Sequence, residues 1–180
     1  MRWNSNKDYP QVDKSSFVDP TAVLIGKVHI GKNVLIAPGA VIRADEENSA
    51  IYIADNCNVQ DRAIIHALGG SSVRIGVSAS LSHGCIVHGP CVIGEKCFVG
   101  FGSVVFKSEL ADKVFVGHLA VIEGVDIGAG RFIKNGAVVD SQIKAKKLKR
   151  VSKTHGEFID RVLSANMKLV LNATHRFSAS

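Results

Sequence analysis

The sequence predicts an all-β solenoid, a parallel β-helix built from six-residue repeats and followed by a C-terminal α-helix. The first observation is the period, because an aliphatic residue returns at every sixth position through most of the stretch from Leu24 to Val139. The second is a small or β-branched residue four places after many of these aliphatics. The third is the composition of the 180 residues, with 17 Gly against 8 Phe, 2 Tyr and 1 Trp. Such a composition is typical of strands and turns rather than of a helix bundle.

Each repeat unit is a short strand plus a turn, since neither a helical nor an alternating period fits six residues. Three units per turn give a coil of triangular section, with aliphatics filling the interior and small residues fitting the corners. The frame breaks at 47–52, 66–74, 106–115 and 122–126, where we expect loops to leave the coil. The leading aliphatics are Leu24, Ile30, Ile36, Ile42, Ile53, Val59, Ile65, Ile75, Leu81, Val87, Ile93, Val99, Val105, Val116, Ile122, Ile127, Ile133 and Val139.

Four cysteines belong to this repeat rather than to a metal-binding or disulfide pattern. Cys57, Cys85, Cys91 and Cys97 each lie four places after a leading aliphatic, at the small position of the unit. Free cysteines at such positions behave as small apolar side chains. We therefore expect four unreactive core thiols.

The chain divides into a β-helix domain at 1–140, a basic connector at 141–153 and a C-terminal helix at 154–180 that packs on the coil. Apolar residues return at helical spacing in the last segment. Charge follows the same division, with 13 Lys/Arg against 14 Asp/Glu before residue 141 and 9 against 2 after residue 140. A neutral body with a basic tail argues against a nucleic-acid-binding protein.

Hydrophobic stretches in the sequence are short. Polar residues or glycines interrupt each of them well before the ~18 apolar residues of a membrane span. The N-terminus has no apolar run of signal-peptide length. We therefore expect a cytoplasmic protein that does not enter the membrane.

Three histidines are candidate metal ligands. His66 and His88 each follow a leading aliphatic one coil apart, so their rings are expected about one strand spacing, ~4.8 Å, from each other. His83 lies one face earlier and points from another side of the triangle. Zn–N distances of ~2.0–2.1 Å would then require His83 of a neighbouring subunit, as in a trimer about a threefold axis. The alternative is that all three are surface histidines without a ligand.

Polar motifs lie between the repeats along nearly the whole chain. They are Arg43-Ala44-Asp45-Glu46, Asn58-Val59-Gln60-Asp61 with His66 following, Ser82-His83-Gly84, His88-Gly89-Pro90, Gly130-Arg131-Phe132, Gly136 and Ser141-Gln142. Together these motifs resemble those of the γ-class carbonic anhydrases. The resemblance implies a left-handed β-helix that forms a homotrimer. It also implies zinc, or else iron or cobalt, bound by His66 and His88 of one subunit and His83 of another.

The activity that this resemblance implies is the reversible hydration of carbon dioxide to bicarbonate. The metal would lower the pKa of a bound water to near neutrality and present hydroxide to the substrate. By the same resemblance Gln60 orients the hydroxide, Glu46 accepts or relays a proton, and Asn58 is a further polar group of the site. The ion pair that joins subunits in this family is matched by Arg43 and Asp61, with Asp45 nearby.

The loop after His66 departs from the family pattern. The best-characterised active members carry a long acidic loop with a proton-shuttling glutamate, whereas residues 67–74 contain no carboxylate. We expect the metal site to persist and hydration to be slower, because each turnover must export a proton. Since fold does not fix function, two alternatives stay open. One is a hexapeptide-repeat acyltransferase or acyl-CoA hydrolase, and the other is a non-catalytic metal-binding or assembly homologue.

Overall fold

The computed structural model describes residues 1–177, in which short strands alternate with tight turns before two helices. In chain order the strands of the coil are β1 (Gln11–Val12), β2 (Phe17–Val18), β3 (Val23–Gly26), β4 (Val28–Ile30), β5 (Leu35–Ile36), β6 (Val41–Ala44), β7 (Ala50–Ile53), β8 (Asn58–Val59), β9 (Ile64–His66), β10 (Ser72–Ile75), β11 (Ser80–Leu81), β12 (Ile86–His88), β13 (Cys91–Ile93), β14 (Phe98–Val99), β15 (Val104–Phe106), β16 (Glu109–Leu110), β17 (Phe115–Val116), β18 (Val121–Glu123), β19 (Asp126–Ile127), β20 (Arg131–Ile133) and β21 (Val138–Val139). They are followed by α1 (Gln142–Lys146), β22 (Lys149–Arg150) and α2 (Lys153–Phe177).

Every third strand belongs to the same parallel sheet, so three sheets form the faces of a triangular coil. Sheet 1 is β1-β4-β7-β10-β13-β16-β19, sheet 2 is β2-β5-β8-β11-β14-β17-β20 and sheet 3 is β3-β6-β9-β12-β15-β18-β21. The described chain is therefore a left-handed parallel β-helix with a C-terminal helix, which confirms the fold that the sequence predicts.

The core is a stack of inward-facing aliphatic side chains. Strand register places each leading aliphatic directly on its equivalent in the next coil, as in the series Ile36, Val59, Leu81 and Val99 of sheet 2. All four side chains are fully buried. Because each coil buries its apolar face only against the coils above and below, the stack itself is the core of the domain.

Two of the four frame breaks differ from the sequence-based expectation. Loops do leave the coil at 45–49 and 67–71, between sheet 3 and sheet 1. The prediction of loops at 106–115 and 122–126 is wrong. The repeat units there are one residue shorter than the six-residue unit, and no loop leaves the coil. Leu110, only 1% exposed, takes the leading inward position that the six-residue frame misses. The hydroxyl of Ser108 closes this tighter corner by accepting a hydrogen bond from the backbone N–H of Val125 at 3.2 Å.

The connector after β21 covers the last coil. In α1 the side chain of Ala145 is 3% exposed and packs on the core, while β22 pairs antiparallel with β20 and extends sheet 2. This antiparallel strand is not predicted from the sequence. Both elements occupy the open end of the coil and so reduce its exposed edge.

Helix α2 runs along sheet 2 from the last coil back towards the first. Ile159 and Val170 are buried beneath it, and the ring of Phe158 lies 5.2 Å from that of Phe98. Leu169, which shares the helical spacing of these residues, is nevertheless 54% exposed. It lies over a cavity between α2 and sheet 2.

The four cysteines are buried and free. Burial raises the pKa of the Cys57, Cys85 and Cys97 thiols to about 12 and also raises that of Cys91. Since the thiolate is the reactive form, we expect no reaction with Ellman's reagent in the native protein at mildly alkaline pH. In concentrated guanidinium chloride all four thiols should react. Reaction of the native protein within minutes would contradict the core assignment.

Candidate metal site

His66 on β9 and His88 on β12 are direct neighbours across sheet 3. Their ring centroids are 4.8 Å apart and the rings are nearly perpendicular, with His66 Nδ1 and His88 Nε2 separated by 3.0 Å. The register that stacks the inward aliphatics also places these two side chains next to each other on the outer surface. The two imidazole nitrogens therefore face each other at hydrogen-bond distance.

The donor set fits a zinc ion. Two nitrogens bound at tetrahedral angles to one zinc lie about 3.3 Å apart, close to the separation of these two rings. The second nitrogen of His88, Nδ1, is buried without a hydrogen-bond partner within residues 1–177. His66 Nε2 is also buried, and it lies 3.3 Å from Glu46 Oε1 and 3.6 Å from Asp45 Oδ1. Burial, followed by the influence of His88 and Arg43, lowers the pKa of His66 against the opposing effect of nearby carboxylates. The neutral imidazole that results is the form that binds metals.

His83 lies on a different edge of the coil, in the turn after β11. Its side chain is 55% exposed, and Nδ1 lies 2.8 Å from Oδ2 of Asp61. A carboxylate that accepts the proton of one ring nitrogen orients the ring and leaves the other nitrogen free to bind a metal. Within the described part of the chain no three His, Cys, Asp or Glu side chains converge on one metal position. His66 and His88 therefore lie apart from His83 in the described part of the chain.

The predicted ion-pair residues have other partners inside this chain. Arg43 bonds Asp45 through Nε at 3.1 Å and Nη2 at 2.9 Å, whereas Asp61 bonds His83. Burial alone would raise the pKa of Asp45, but the hydrogen bonds and charge of Arg43 help to lower it overall. Arg43 is the neighbour of His66 across sheet 3, so its charge lies at the edge of the histidine pair.

Gln60 and Asn58 form a buried polar cluster on sheet 2. Gln60 Nε2 donates to Asn58 Oδ1 at 3.1 Å, and Ser80 Oγ donates to the same oxygen at 2.8 Å. Gln60 Oε1, Asn58 Nδ2 and Ser82 Oγ are buried without a hydrogen-bond partner within residues 1–177. An unpaired buried polar group costs about 1–3 kcal/mol, so three of them together mark a position for an ordered water, a polar ligand or a neighbouring subunit.

Sequence reasoning assigned no role to two of these groups. Ser80 and Ser82 lie one coil after Asn58 and Gln60, respectively, in the register of β8 and β11. That position was the available signal, because a residue one coil away from a functional side chain must lie beside it.

Glu46 is held against the histidine pair by the short loop. The backbone N–H of Gly69 donates to Glu46 Oε2 at 2.7 Å, and Glu46 Oε1 lies 3.3 Å from His66 Nε2. The loop thus fixes a carboxylate from the preceding coil instead of supplying one of its own. Gly69 is also absent from the sequence-based assignment, because its contribution is a backbone group.

A cavity of about 600 Å³ separates sheet 2 from the end of α2. Gln60, Asp61 and His83 form its wall on the coil, opposite Asn166 and Leu169 of the helix. The predicted amide and the third histidine therefore border one space that is open to small molecules. Leu169 stays exposed because it spans this space rather than packing on the sheet.

Comparison with known proteins supports the class that the fold and these side chains define. Residues 9–44 match the family described as bacterial transferase hexapeptide (six repeats). The crystal structure of a hexapeptide transferase family protein from Anaplasma phagocytophilum superposes with a TM-score of 0.81, at 23% identity, over 95% of this chain and 96% of that chain. At this identity the likeness concerns the fold. The chain is thus a hexapeptide-repeat protein.

Two curated relatives narrow the class. Carbonic anhydrase from Methanosarcina thermophila is 36% identical over 169 residues, which is 83% of this chain and 68% of that protein. The carboxysome assembly protein CcmM from Nostoc sp. is 36% identical over 177 residues, which is 93% of this chain but 32% of CcmM, so the chain spans about a third of that relative. The chain belongs to the γ-class carbonic anhydrase family. No helix of residues 1–177 has both the length and the apolar character to cross a bilayer.

Proposed function

We propose that this chain is the subunit of a homotrimeric, metal-dependent carbonic anhydrase that converts carbon dioxide reversibly to bicarbonate. The observation that carries the proposal is the pair of imidazole nitrogens of His66 and His88, 3.0 Å apart on the surface of sheet 3. The relative from Methanosarcina thermophila named carbonic anhydrase supports the same activity. Zinc is the metal that the spacing favours, with iron or cobalt as alternatives of similar ligand preference.

The outer face of sheet 3 supports assembly with further copies. Ile64 is 38% exposed and Val138 51% exposed on this face, whereas α2 packs on sheet 2. A continuous apolar row on a surface is typical of a subunit interface. His66 and His88 lie beside the row, so a neighbouring copy would cover them. Its members are Val23, Val41, Ile64, Ile86, Val104, Val121 and Val138.

Each polar residue has a task in this assignment. When bound, the metal lowers the pKa of a coordinated water to near neutrality and so supplies the nucleophile for carbon dioxide. His66 and His88 would hold it from one subunit and His83 from the next, with Asp61 orienting His83. The amide nitrogen of Gln60 is engaged by Asn58, so its free oxygen is the group that accepts a hydrogen bond from the reacting water. Glu46, fixed by Gly69, receives the proton that hydration releases.

The test measures metal content and carbon dioxide hydration on one anaerobically purified sample. We expect about one metal per chain, since a trimer has three equivalent interfaces. Stopped-flow hydration should exceed the buffer rate and disappear with a chelator. A metal-free protein would refute the proposal, and acyl-CoA turnover that survives the chelator would favour the acyltransferase alternative.

Substitution Gln60→Ala is expected to lower the hydration rate about 10- to 100-fold, as for groups that orient a metal site from outside the ligands. Metal content should not change, because Gln60 is not a proposed ligand. Gln11→Ala, an exposed glutamine on β1, is the matched control and should leave the rate unchanged. An equal loss of metal and rate in Gln60→Ala would contradict the orienting role.

A second candidate is a non-catalytic, metal-binding assembly subunit. The loop at 67–71 contains no carboxylate, and the Nostoc relative at 36% identity is an assembly protein of the carboxysome. Proton export would then be the missing step, while the metal site and trimer are kept. A trimer with about one metal per chain and no hydration above the buffer rate would select this candidate.

A further inference from the structure

Two columns of side chains flank the proposed metal site, and each column contains one residue from every successive coil. The first, here called the sheet column, follows the outer face of sheet 3 and consists of Arg43, His66, His88, Phe106 and Glu123. The second, here called the corner column, follows the turns after sheet 2 and consists of Asp61, His83, Phe101, His118 and Asn135. Each column supplies proposed metal ligands, His66 and His88 from the first and His83 from the second.

Rings stack along both columns. In the corner column Phe101 lies parallel to His118, with ring centroids 4.3 Å apart, and 5.3 Å from His83. In the sheet column Phe106 meets His88 edge-on at 5.2 Å. Phe101 therefore covers His83, and Phe106 covers His88, in each case from the next coil.

The common spacing of the columns fixes how two copies can pair. Both columns rise by one strand spacing, ~4.8 Å, per coil. When coils pack with parallel axes about a threefold axis, one matched pair sets the register of all others. Contact between His83 and the partner subunit's His66 and His88 brings Asp61 to the partner's Arg43. One coil further on, Phe101 comes to the partner's Phe106. Two coils further on, His118 comes to the partner's Glu123.

The side chains brought together in this register are complementary. Asp61 carries a negative charge and meets the cation of Arg43, and two apolar rings meet at the next level beyond the histidines. His118 Nδ1 accepts the backbone N–H of Phe101 at 3.1 Å, so in the neutral ring the proton is on Nε2 and is available to donate. The carboxylate of Glu123 is exposed and has no hydrogen bond or ion pair within residues 1–177.

We propose that the corner column of one copy docks on the sheet column of a second copy of this chain, with His118 donating to Glu123 of the partner subunit and Phe101 packing on Phe106 of the partner subunit. The inference rests on the proposed function, because the shared metal position sets the register. The two phenylalanines then form an apolar wall on one side of the metal position, which suits carbon dioxide, a nonpolar substrate. The polar pair lies beyond this wall and holds it closed.

Disulfide cross-linking tests the register in the assembled protein. We expect the double variant His118→Cys, Glu123→Cys to form covalent dimers and trimers on mild oxidation. Within one chain the turn at 118–119 and the three residues of β18, which span about 10 Å, lie between the two positions, too far for a disulfide. The native thiols are buried and should remain silent. Each single variant should give no covalent trimer. The same is expected of the pair His118→Cys, Arg43→Cys, which is out of register.

The outcomes separate this inference from the proposed function. A metal-containing trimer that hydrates carbon dioxide but is not cross-linked at 118 and 123 overturns the register alone. Cross-linking of the out-of-register pair does the same. A monomer by light scattering overturns both.

A charge exchange provides a second test that keeps a polar pair at the contact. Glu123→Lys should raise the protein concentration at which the trimer dissociates about tenfold, and adding His118→Glu should restore it. Glu109→Lys, an exposed glutamate on sheet 1, is the matched control and should have no effect. An unchanged trimer in Glu123→Lys would overturn the proposed pair.

Discussion

Two inactive variants, His83→Ala and His88→Ala, should restore part of each other's activity when they are assembled together. Each proposed site takes His66 and His88 from one subunit and His83 from the next. In an equimolar mixture about a quarter of the interfaces therefore combine three intact ligands. We expect metal content and hydration to return to about a quarter of the wild-type values.

Each variant alone should lose more than about a hundredfold in activity, beyond the 10- to 100-fold typical of a residue that only supports a ligand. The physical reason is that the remaining imidazoles cannot saturate a site built for three. Refolding the mixture from denaturant allows the subunits to exchange, and metal analysis with stopped-flow hydration gives the readout.

The matched control is the mixture of His66→Ala with His88→Ala. Both residues lie on the same sheet of the same chain, so no arrangement of these two variants contains an intact site. Recovery in the control mixture would show that His66 and His88 come from different subunits. No recovery in the first mixture, with trimers present, would contradict the shared site.

The second large effect concerns the free energy of unfolding. Ile93 is fully buried in sheet 1, between Ile75 and Leu110 of the adjoining coils. Ile93→Ala removes its side chain from a tight stack and should lower the free energy of unfolding by about 2–5 kcal/mol. Ile143→Ala, at a residue of α1 that is 69% exposed, is the control, and its effect should stay within about 0.5 kcal/mol.

Denaturant unfolding monitored by circular dichroism measures both variants. Protein concentration must be held constant, because subunit association contributes to apparent stability. Neither sheet 1, which contains Ile93, nor α1, which contains Ile143, carries a proposed metal ligand. Metal content per folded chain should therefore be the same in Ile93→Ala and Ile143→Ala. An equal effect of the two substitutions would contradict the assignment of Ile93 to the core.

Much of the fold follows from counting residues, because every coil contacts only its neighbours. The pairing of Ile65 with Val87, and hence of His66 with His88, is available from the six-residue frame once the break is treated as a loop. The frame fails where a unit loses a residue. Leu110 lies five residues after Val105, and a search at fixed period passes over it.

The site is less accessible to sequence reasoning, because its details depend on turns and loop closure. Counting places Asp61 beside His83, one coil apart, but it does not show that the two side chains bond. The bond from Gly69 to Glu46 is not available from counting, because it depends on the path of the backbone in a loop. Ser80 looks like an ordinary small residue of the repeat, and only the register reveals its bond to Asn58. The subunit contacts lie outside any single chain.

Length changes in the coil are confined to one corner. The loops at 45–49 and 67–71 and the shortened units before Leu110 and Ile127 all lie between sheet 3 and sheet 1, the corner that follows His66 and His88 along the chain. The other two corners keep a constant length between the leading aliphatics from β4 to β21. This corner therefore varies in length while the rest of the coil stays regular. A loop of different length or charge placed there would change the surroundings of His66 and His88. The sheet column and the corner column would keep their spacing.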